Sequence, residues 1–360
     1  MELKVDKNTL FGDYNAITRN RPYIDKDGRA KISVYQGGDI NDPKSYTQKL
    51  IDNDMAIFTP EEWKTIDTRL REIAASRQVG IAKLKELGLV YNLANPFASQ
   101  SLEYMKTSDM HDASVNMNFK VTNETDKQAV KTANIPIPVI SWKWGFDIRE
   151  LQMSRLYNRP LDLQGAKVGA RKIGEKLESM MFGANATILD SKKIDSIISF
   201  GDSNKLDNNS SPYAFHDWTN TTTTTPAIIL QDVLELKKKS IKDKHFGKWI
   251  LFVSQDVENR LDEDYALDAN TKAYVPLMDR IKKINSILDV VVSDFLPNKT
   301  VALVQMTNDT IELINGMELT TVQLMNAGGL NFEMLSFVMQ TPAVKSDYDG
   351  NCGIVIGTYQ

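Results

Sequence analysis

The chain has 360 residues, of which 42% are hydrophobic and 25% charged, with a formal net charge of −4 and a pI near 5.6. These are ordinary values for a globular protein, and they leave no basic footprint for tight, sequence-specific nucleic-acid binding. The single cysteine, Cys352, cannot close an internal disulfide, no apolar run reaches membrane-span length, and the first residues lack a signal-peptide core. The expectation is a protein made and used in a reducing cytoplasm, with no membrane partner.

Residues 1–57 are polar and weakly periodic, with turn signals at Asp27-Gly28 and Gly37-Gly38. They read as an extended arm without a core of its own. A helix start follows at Phe58-Thr59-Pro60-Glu61-Glu62, where Thr59 can cap, Pro60 suits the first helical position and Glu62 completes a capping box. Trp63, Ile66, Leu70, Ile73 and Ala74 form its apolar face, and the helix is expected to end between Gly80 and Gly88.

From Asn92 to Val139 the pattern becomes extended. Val115, Met117, Phe119 and Val121 alternate with polar residues, Asn123 to Asp126 supply a turn, and Ile135-Pro136-Ile137-Pro138 marks an edge or unpaired position. A hairpin this poor in apolar residues is marginal in water and calls for a partner surface. Trp142, Trp144, Phe146 and Ile148 alternate again and predict a strand whose aromatics face a core.

Pro160 to Gly183 predicts a long amphipathic helix. Asp162 is placed to cap it, Leu163, Ala166, Ala170, Ile173, Leu177, Met180 and Met181 form its stripe, and Gly183 is expected to end it in left-handed conformation. A loop rich in Asn, Ser and Thr covers 203–226. Pro226 then opens a helix with Ile228, Ile229, Val233, Leu234 and Leu236, and the basic run Lys237 to Lys244 suits a solvated helix C-terminus. Trp249 to Val253 is a continuous apolar run typical of a buried strand, with Ser254 expected to cap the next helix. Val290–Val292, Thr300–Gln305 and Ile311–Ile314 predict further short strands of an α/β domain. Leu330–Gln340 and Gly353–Ile356 read as strands returning to the long helix.

Motifs for chemistry are absent. His111, His216 and His245 are scattered without metal-ligand spacing, and no phosphate loop, nucleophile elbow or dinucleotide fingerprint occurs. Asp262, Glu263, Asp264 and Asp268 form a dense acidic cluster, but polar flanks suit a solvated loop better than a catalytic pair. No cofactor, metal or enzymatic activity is expected.

The order of elements resembles the major capsid proteins of tailed bacteriophages, whose Hong Kong 97-like fold is shared by encapsulin shells. The resemblance rests on Thr59-Pro60-Glu61-Glu62-Trp63, on Phe146-Asp147-Ile148-Arg149-Glu150-Leu151 with Arg159-Pro160-Leu161-Asp162, and on Glu175 to Gly183. It extends to Tyr274-Val275-Pro276-Leu277, Val292 to Pro297, Gly328-Gly329-Leu330 and Tyr348-Asp349-Gly350. The segment Asp195-Ser196-Ile197-Ile198 departs from the Gly-containing turn of many relatives.

The resemblance implies an α+β fold with an N-terminal arm (1–57), an N-terminal helix (58–91) and an E-loop hairpin (92–140). It also implies a peripheral (P) domain with a spine helix (141–185 and 318–360) and an axial (A) domain (186–317). It implies a structural subunit that self-assembles as pentamers and hexamers into an icosahedral head enclosing double-stranded DNA, or alternatively an encapsulin-type shell around cargo proteins. Portal, scaffolding and decoration proteins are the implied partners, with DNA contacts non-specific. The implied location is the virion, after assembly in the host cytoplasm. Interface residues expected on this basis are Phe119, Val121, Lys127 and Lys131 on the hairpin and Asp262, Glu263, Asp264 and Asp268 at the axial tip.

Overall fold

A computed structural model describes residues 21–36, 47–52, 57–108, 110, 117, 128–157, 163–189, 192–210, 212–268, 273–324 and 331–359. In chain order, β1 (Tyr23–Ile24), β2 (Ala30–Gln36) and β3 (Thr47–Asp52) precede α1 (Pro60–Ala75), α2 (Gly80–Glu86) and β4 (Val90–Asn92). Then come β5 (Ser101–Thr107), β6 (Val130–Pro136), β7 (Ile140–Asp147), α3 (Ile148–Leu156) and α4 (Gln164–Phe182). The middle of the chain holds β8 (Thr187–Leu189), β9 (Lys192–Ile194), β10 (Asn204–Asp207), α5 (Pro226–Lys242), β11 (Trp249–Ser254) and α6 (Glu258–Leu261). After them lie β12 (Asp264–Asp268), β13 (Ala273–Pro276), α7 (Leu277–Lys282) and β14 (Ile287–Ser293). The series closes with β15 (Thr300–Gln305), β16 (Ile311–Leu324), β17 (Asn331–Val344) and β18 (Ile354–Thr358). Two compact units result. The first takes Met1–Gln100, Pro136–Met180 and Leu313–Pro342, and the second takes Ser101–Ile135, Met181–Glu312 and Ala343–Gln360.

The first unit packs helices against a four-stranded sheet of order β4-β16-β17-β7. Helix α1 starts as its sequence dictates: Glu62 N donates to Thr59 Oγ1 at 3.2 Å, and Thr59 N donates to Glu62 Oε2 at 2.8 Å. The expected single helix to Gly88 is two helices, because the chain turns at Ser76–Val79 before α2. No side chain of its own caps α2. Glu178 of α4 does so instead, accepting from the amides of Val79 (3.1 Å), Gly80 (2.5 Å) and Ile81 (3.4 Å) while fully buried. A carboxylate here satisfies otherwise unpaired amides and meets the positive end of the helix dipole.

Trp63, Ile66, Leu70 and Ala74 of α1, and Ala166, Ala170, Ile173 and Leu177 of α4, bury against Trp144 and Phe146 of β7, Leu319 of β16 and Met334 and Val338 of β17. Each large side chain so buried contributes about 1.5–3 kcal/mol. The β7 aromatics are core residues, as expected: Phe146 meets Phe58 at 5.8 Å and Phe332 at 5.6 Å, and Trp144 Nε1 donates to Ser336 Oγ at 2.9 Å. Trp142 departs from the pattern, being 41% exposed. Helices α1 and α4 cross closely because residue 174 is glycine: a Cβ there would lie 2.4 Å from the Ala74 carbonyl oxygen. The expected Asp162 cap lies outside the described residues. Gly183 does not adopt the expected left-handed φ. Its carbonyl accepts from Ser196 Oγ at 2.6 Å.

The second unit has a five-stranded mixed sheet of order β10-β18-β15-β11-β14. Every residue of β11 is buried, as its apolar run predicts. Trp249, Leu251 and Val253 pack with Ile229, Val233 and Leu236 of α5, while Phe252 on the opposite face meets Phe182 at 4.9 Å. Leu234, read from sequence as part of the apolar face of α5, is 50% exposed. The basic run does occupy the C-terminal end of α5, where Lys237 Nζ donates to Asn285 O at 2.7 Å. Ser254 stands at the expected cap position but makes no capping hydrogen bond.

The last strand is placed differently from expectation. Rather than returning to the long helix, β18 lies between β10 and β15, parallel to the first and antiparallel to the second. Its uninterrupted apolar run, Ile354-Val355-Ile356, suits this central position. The strand expected at Ile311–Ile314 continues to Leu324. Among the described residues, no helix is long and apolar enough to cross a membrane.

Candidate functional site

The described residues contain no group of three or more His, Cys, Asp or Glu arranged to hold a metal ion. His245 Nδ1 lies 2.9 Å or less from a partner, at 2.6 Å from Gln305 Oε1. His216 Nδ1 lies 2.9 Å from Oδ1 of Asp232, a fully buried carboxylate on α5. The same carboxylate accepts from Tyr213 Oη at 2.6 Å and Trp218 Nε1 at 2.7 Å. It ties the polar loop before α5 to the core. Burial pushes the Cys352 thiol up to about 12, which keeps it protonated and unreactive at neutral pH.

Asp262 and Glu263 form the turn between α6 and β12, and Asp264 and Asp268 are the first and last residues of that strand. Asp262 and Asp264 are exposed, but Glu263 pairs with Arg260 in its own chain. Arg260 is buried and also donates through Nε to Trp218 O at 3.0 Å and through Nη2 to Thr224 O. Glu263 therefore already has an internal counter-charge, and the free acidity of the turn rests on Asp262 and Asp264. Strand β12 ends at Asp268, whose backbone is in register with Ala273; its side chain lies outside the described residues.

The hairpin expected at 92–140 is rooted by β5 and β6, which form a two-stranded sheet. Ser108 N donates to Ala129 O at 2.9 Å and Ile137 N to Gln100 O at 3.0 Å, an antiparallel pairing. Lys131 is exposed and its ammonium lies 4.2 Å from the Tyr348 ring centroid. Phe119, Val121 and Lys127 lie outside the described residues. Lys106 of β5 has only 15% of its side chain exposed. Its Nζ donates to Ser346 Oγ at 2.5 Å and to Asp202 Oδ2 at 3.4 Å. A lysine beside a serine hydroxyl has the composition of a base and a nucleophile. The directions are wrong for that chemistry: the ammonium donates to the serine oxygen, and that hydroxyl donates to Asp202. The trio is an ion pair bridged by a hydroxyl, suited to positioning.

Sequence reasoning missed Glu178 and Asp232. Both carried a weak signal, a carboxylate set directly beside an apolar stripe: Glu178 follows Leu177, and Asp232 precedes Val233.

Residues 53–357 match a sequence family described as of unknown function (DUF6260). The chain belongs to that family. No curated protein matches it in sequence. Among solved structures, the virus-like particle from Pyrococcus furiosus is 17% identical, with a TM-score of 0.57, 82% of this chain and 99% of that one being covered. The capsid of Myoviridae phage XM1 is 12% identical, with a TM-score of 0.56 and coverage of 78% and 92%. A chain of Microbacterium phage Oxtober96 is 11% identical, with a TM-score of 0.51 and coverage of 76% and 90%. At such identities the likeness is one of fold. This DUF6260 chain has the α+β, Hong Kong 97-like fold of shell subunits that its sequence led us to expect.

Proposed function

We propose that this chain is a major capsid protein, many copies of which self-assemble into the icosahedral head of a tailed bacteriophage around double-stranded DNA. The observation that carries this reading is the extent of the shared fold, which takes in 92% of the phage XM1 capsid chain and 99% of the Pyrococcus furiosus particle chain. The mechanism is association: pentamers and hexamers bury complementary edges, and symmetry closes the shell. The first unit supplies the peripheral domain and the second the axial domain. The arm and the hairpin, with Phe119, Val121, Lys127 and Lys131, reach neighbouring copies. Asp262, Asp264 and Asp268 face the capsomer axis, with Glu263 held back by Arg260. A net charge of −4 makes contact with packaged DNA weak and non-specific. Portal, scaffolding and decoration proteins complete the partners, and the working location is the virion, after assembly in the host cytoplasm. No cofactor or catalytic step enters the reading.

Expression of the chain followed by sedimentation and electron microscopy tests it. Closed particles of megadalton mass are expected, and a protein that stays monomeric at high concentration overturns the reading. The likeness to the Pyrococcus furiosus particle favours a second reading, an encapsulin-type shell around cargo proteins. Particles isolated from the native source separate the two. Nuclease-protected DNA supports a phage head, and a co-purifying protein cargo without DNA supports the alternative.

A further inference from the structure

The root of the hairpin is tied down more firmly than a solvated ribbon requires. Along β5, Leu102, Tyr104 and Lys106 are half-buried, while Glu103, Met105 and Thr107 face outward. Tyr104 and Lys106 of this inward set meet a platform, the segment after β17, with Asp202 beside it. Lys106 binds Ser346 and Asp202, Lys131 of β6 lies over Tyr348, and Lys345 lies 5.7 Å from the Tyr104 ring. The platform is itself braced. Lys345 pairs with Glu312 at 2.6 Å, Asp347 Oδ1 accepts from Asn351 N at 2.7 Å, and Gly350 closes the turn at a φ of 84°. Burial, and then the nearby Asp202 charge, raise the Tyr104 hydroxyl to about 12, so it stays neutral beneath the lysine. A two-stranded ribbon is marginal alone, so its direction is set by whatever holds its base. Exposed ion pairs and cation–π contacts are individually weak. Lys106 differs, because a largely buried ammonium that loses its partners leaves a charge stranded.

We infer that Lys106, Ser346 and Asp202 form a latch that fixes the direction in which the hairpin leaves its own subunit before any neighbour is met. Lys106 is a positioning residue in this scheme. The consequence for assembly rests on the shell reading: a pre-aimed hairpin presents its tip to a neighbour without first losing the entropy of a free hinge.

Spin labels at Thr107→Cys and Asn209→Cys, both exposed, report the direction in the free chain, since buried Cys352 escapes labelling. Lys106→Met and Asp202→Asn are expected to broaden the inter-label distance distribution and to speed amide exchange in β5 and β6 about tenfold. Exchange in β11 and β15 should stay unchanged, which a general loss of stability would not allow. Glu103→Gln, on the outward face, should leave every readout alone. If Lys106→Met does not fold, the Asp202→Asn distribution decides. Distributions as narrow as the parent's in the folded variants overturn the latch. In assembly assays the latch variants should give a several-fold lower yield of closed particles. If the parent forms none, the shell reading fails while the label distances still judge the latch.

Discussion

Each unit is organised around a carboxylate with no exposure to solvent, Glu178 in the first and Asp232 in the second, and the two are satisfied in opposite ways. Glu178 takes its hydrogen bonds from backbone amides at the start of α2, groups that exist whatever the local side chains are. Asp232 takes its main bonds from Tyr213, His216 and Trp218, side chains of a loop whose remaining residues are largely Asn, Ser and Thr. One carboxylate is held by the geometry of an element, and the other by the identity of a few residues. Loss of the first should therefore disturb the packing of helices, and loss of the second should free a loop.

The largest effect is expected for Glu178→Ala, which strands buried amides. Stability of the free chain should fall by about 3 kcal/mol in urea unfolding, with Glu178→Gln recovering part of it. A loss comparable to that of a surface substitution would remove Glu178 from its organising role. Asp232→Asn should cost about 2 kcal/mol, because one amide oxygen cannot serve all the donors now gathered there. Hydrogen exchange should show the loss in residues 212–220 first, with β11 still protected. Simultaneous loss in both would erase the contrast with Glu178.

A third buried carboxylate sharpens the comparison through pH. Burial raises the Asp67 carboxyl above its ordinary 3.8, against the pull of Arg21 at 2.7 Å. Folded chain then binds more protons than unfolded chain between 3.8 and the raised value, so Asp67's contribution to stability falls as pH climbs through that window and is flat above it. Subtracting the unfolding free energies of Asp67→Asn from those of the parent across acid pH should expose this slope, and an opposite slope would mean that Arg21 outweighs burial. The smallest effect belongs to the exposed turn. Asp264→Asn should flatten the salt dependence of particle melting by less than about 1 kcal/mol, whereas Glu263→Gln should instead weaken the free chain by unpairing Arg260. Identical salt curves for parent and Asp264→Asn would rule out an axial ring of charge.

Elements with local signals were legible in the sequence. The capping box at Thr59, the stripe from Ala166 to Leu177 and the run from Trp249 to Val253 all declare themselves within a few residues, and all stand in the structure. What failed depended on partners far along the chain. The break between α1 and α2 is made tolerable by Glu178, 99 residues from Val79, so no local signal marks it. The destination of β18 is not legible locally, because an apolar run states that a strand is buried and not which sheet buries it. Nothing local in the sequence sets Lys106 apart from other lysines of the polar stretch around it. Only its partners, Asp202 and Ser346, 96 and 240 residues away, reveal its burial.

The pairing of β4 with β16 has a consequence in time. Val90 stands opposite Leu313 in that parallel register, and the neighbouring Asn92 and Asn315, 223 residues apart, are joined by side chains at 2.8 Å. Most of the second unit's sheet, β10, β11, β14 and β15, is encoded between them, so β4 and β16 are separated by the greater part of a second core. Pairing at such range is slow because the loop must be closed before any contact rewards it. Until β4 and β16 pair, the edge of β16 that takes β4 is open to other strands. If the chain assembles as proposed above, that interval, before it has a finished surface to assemble with, is where misassembly with other copies is most favoured.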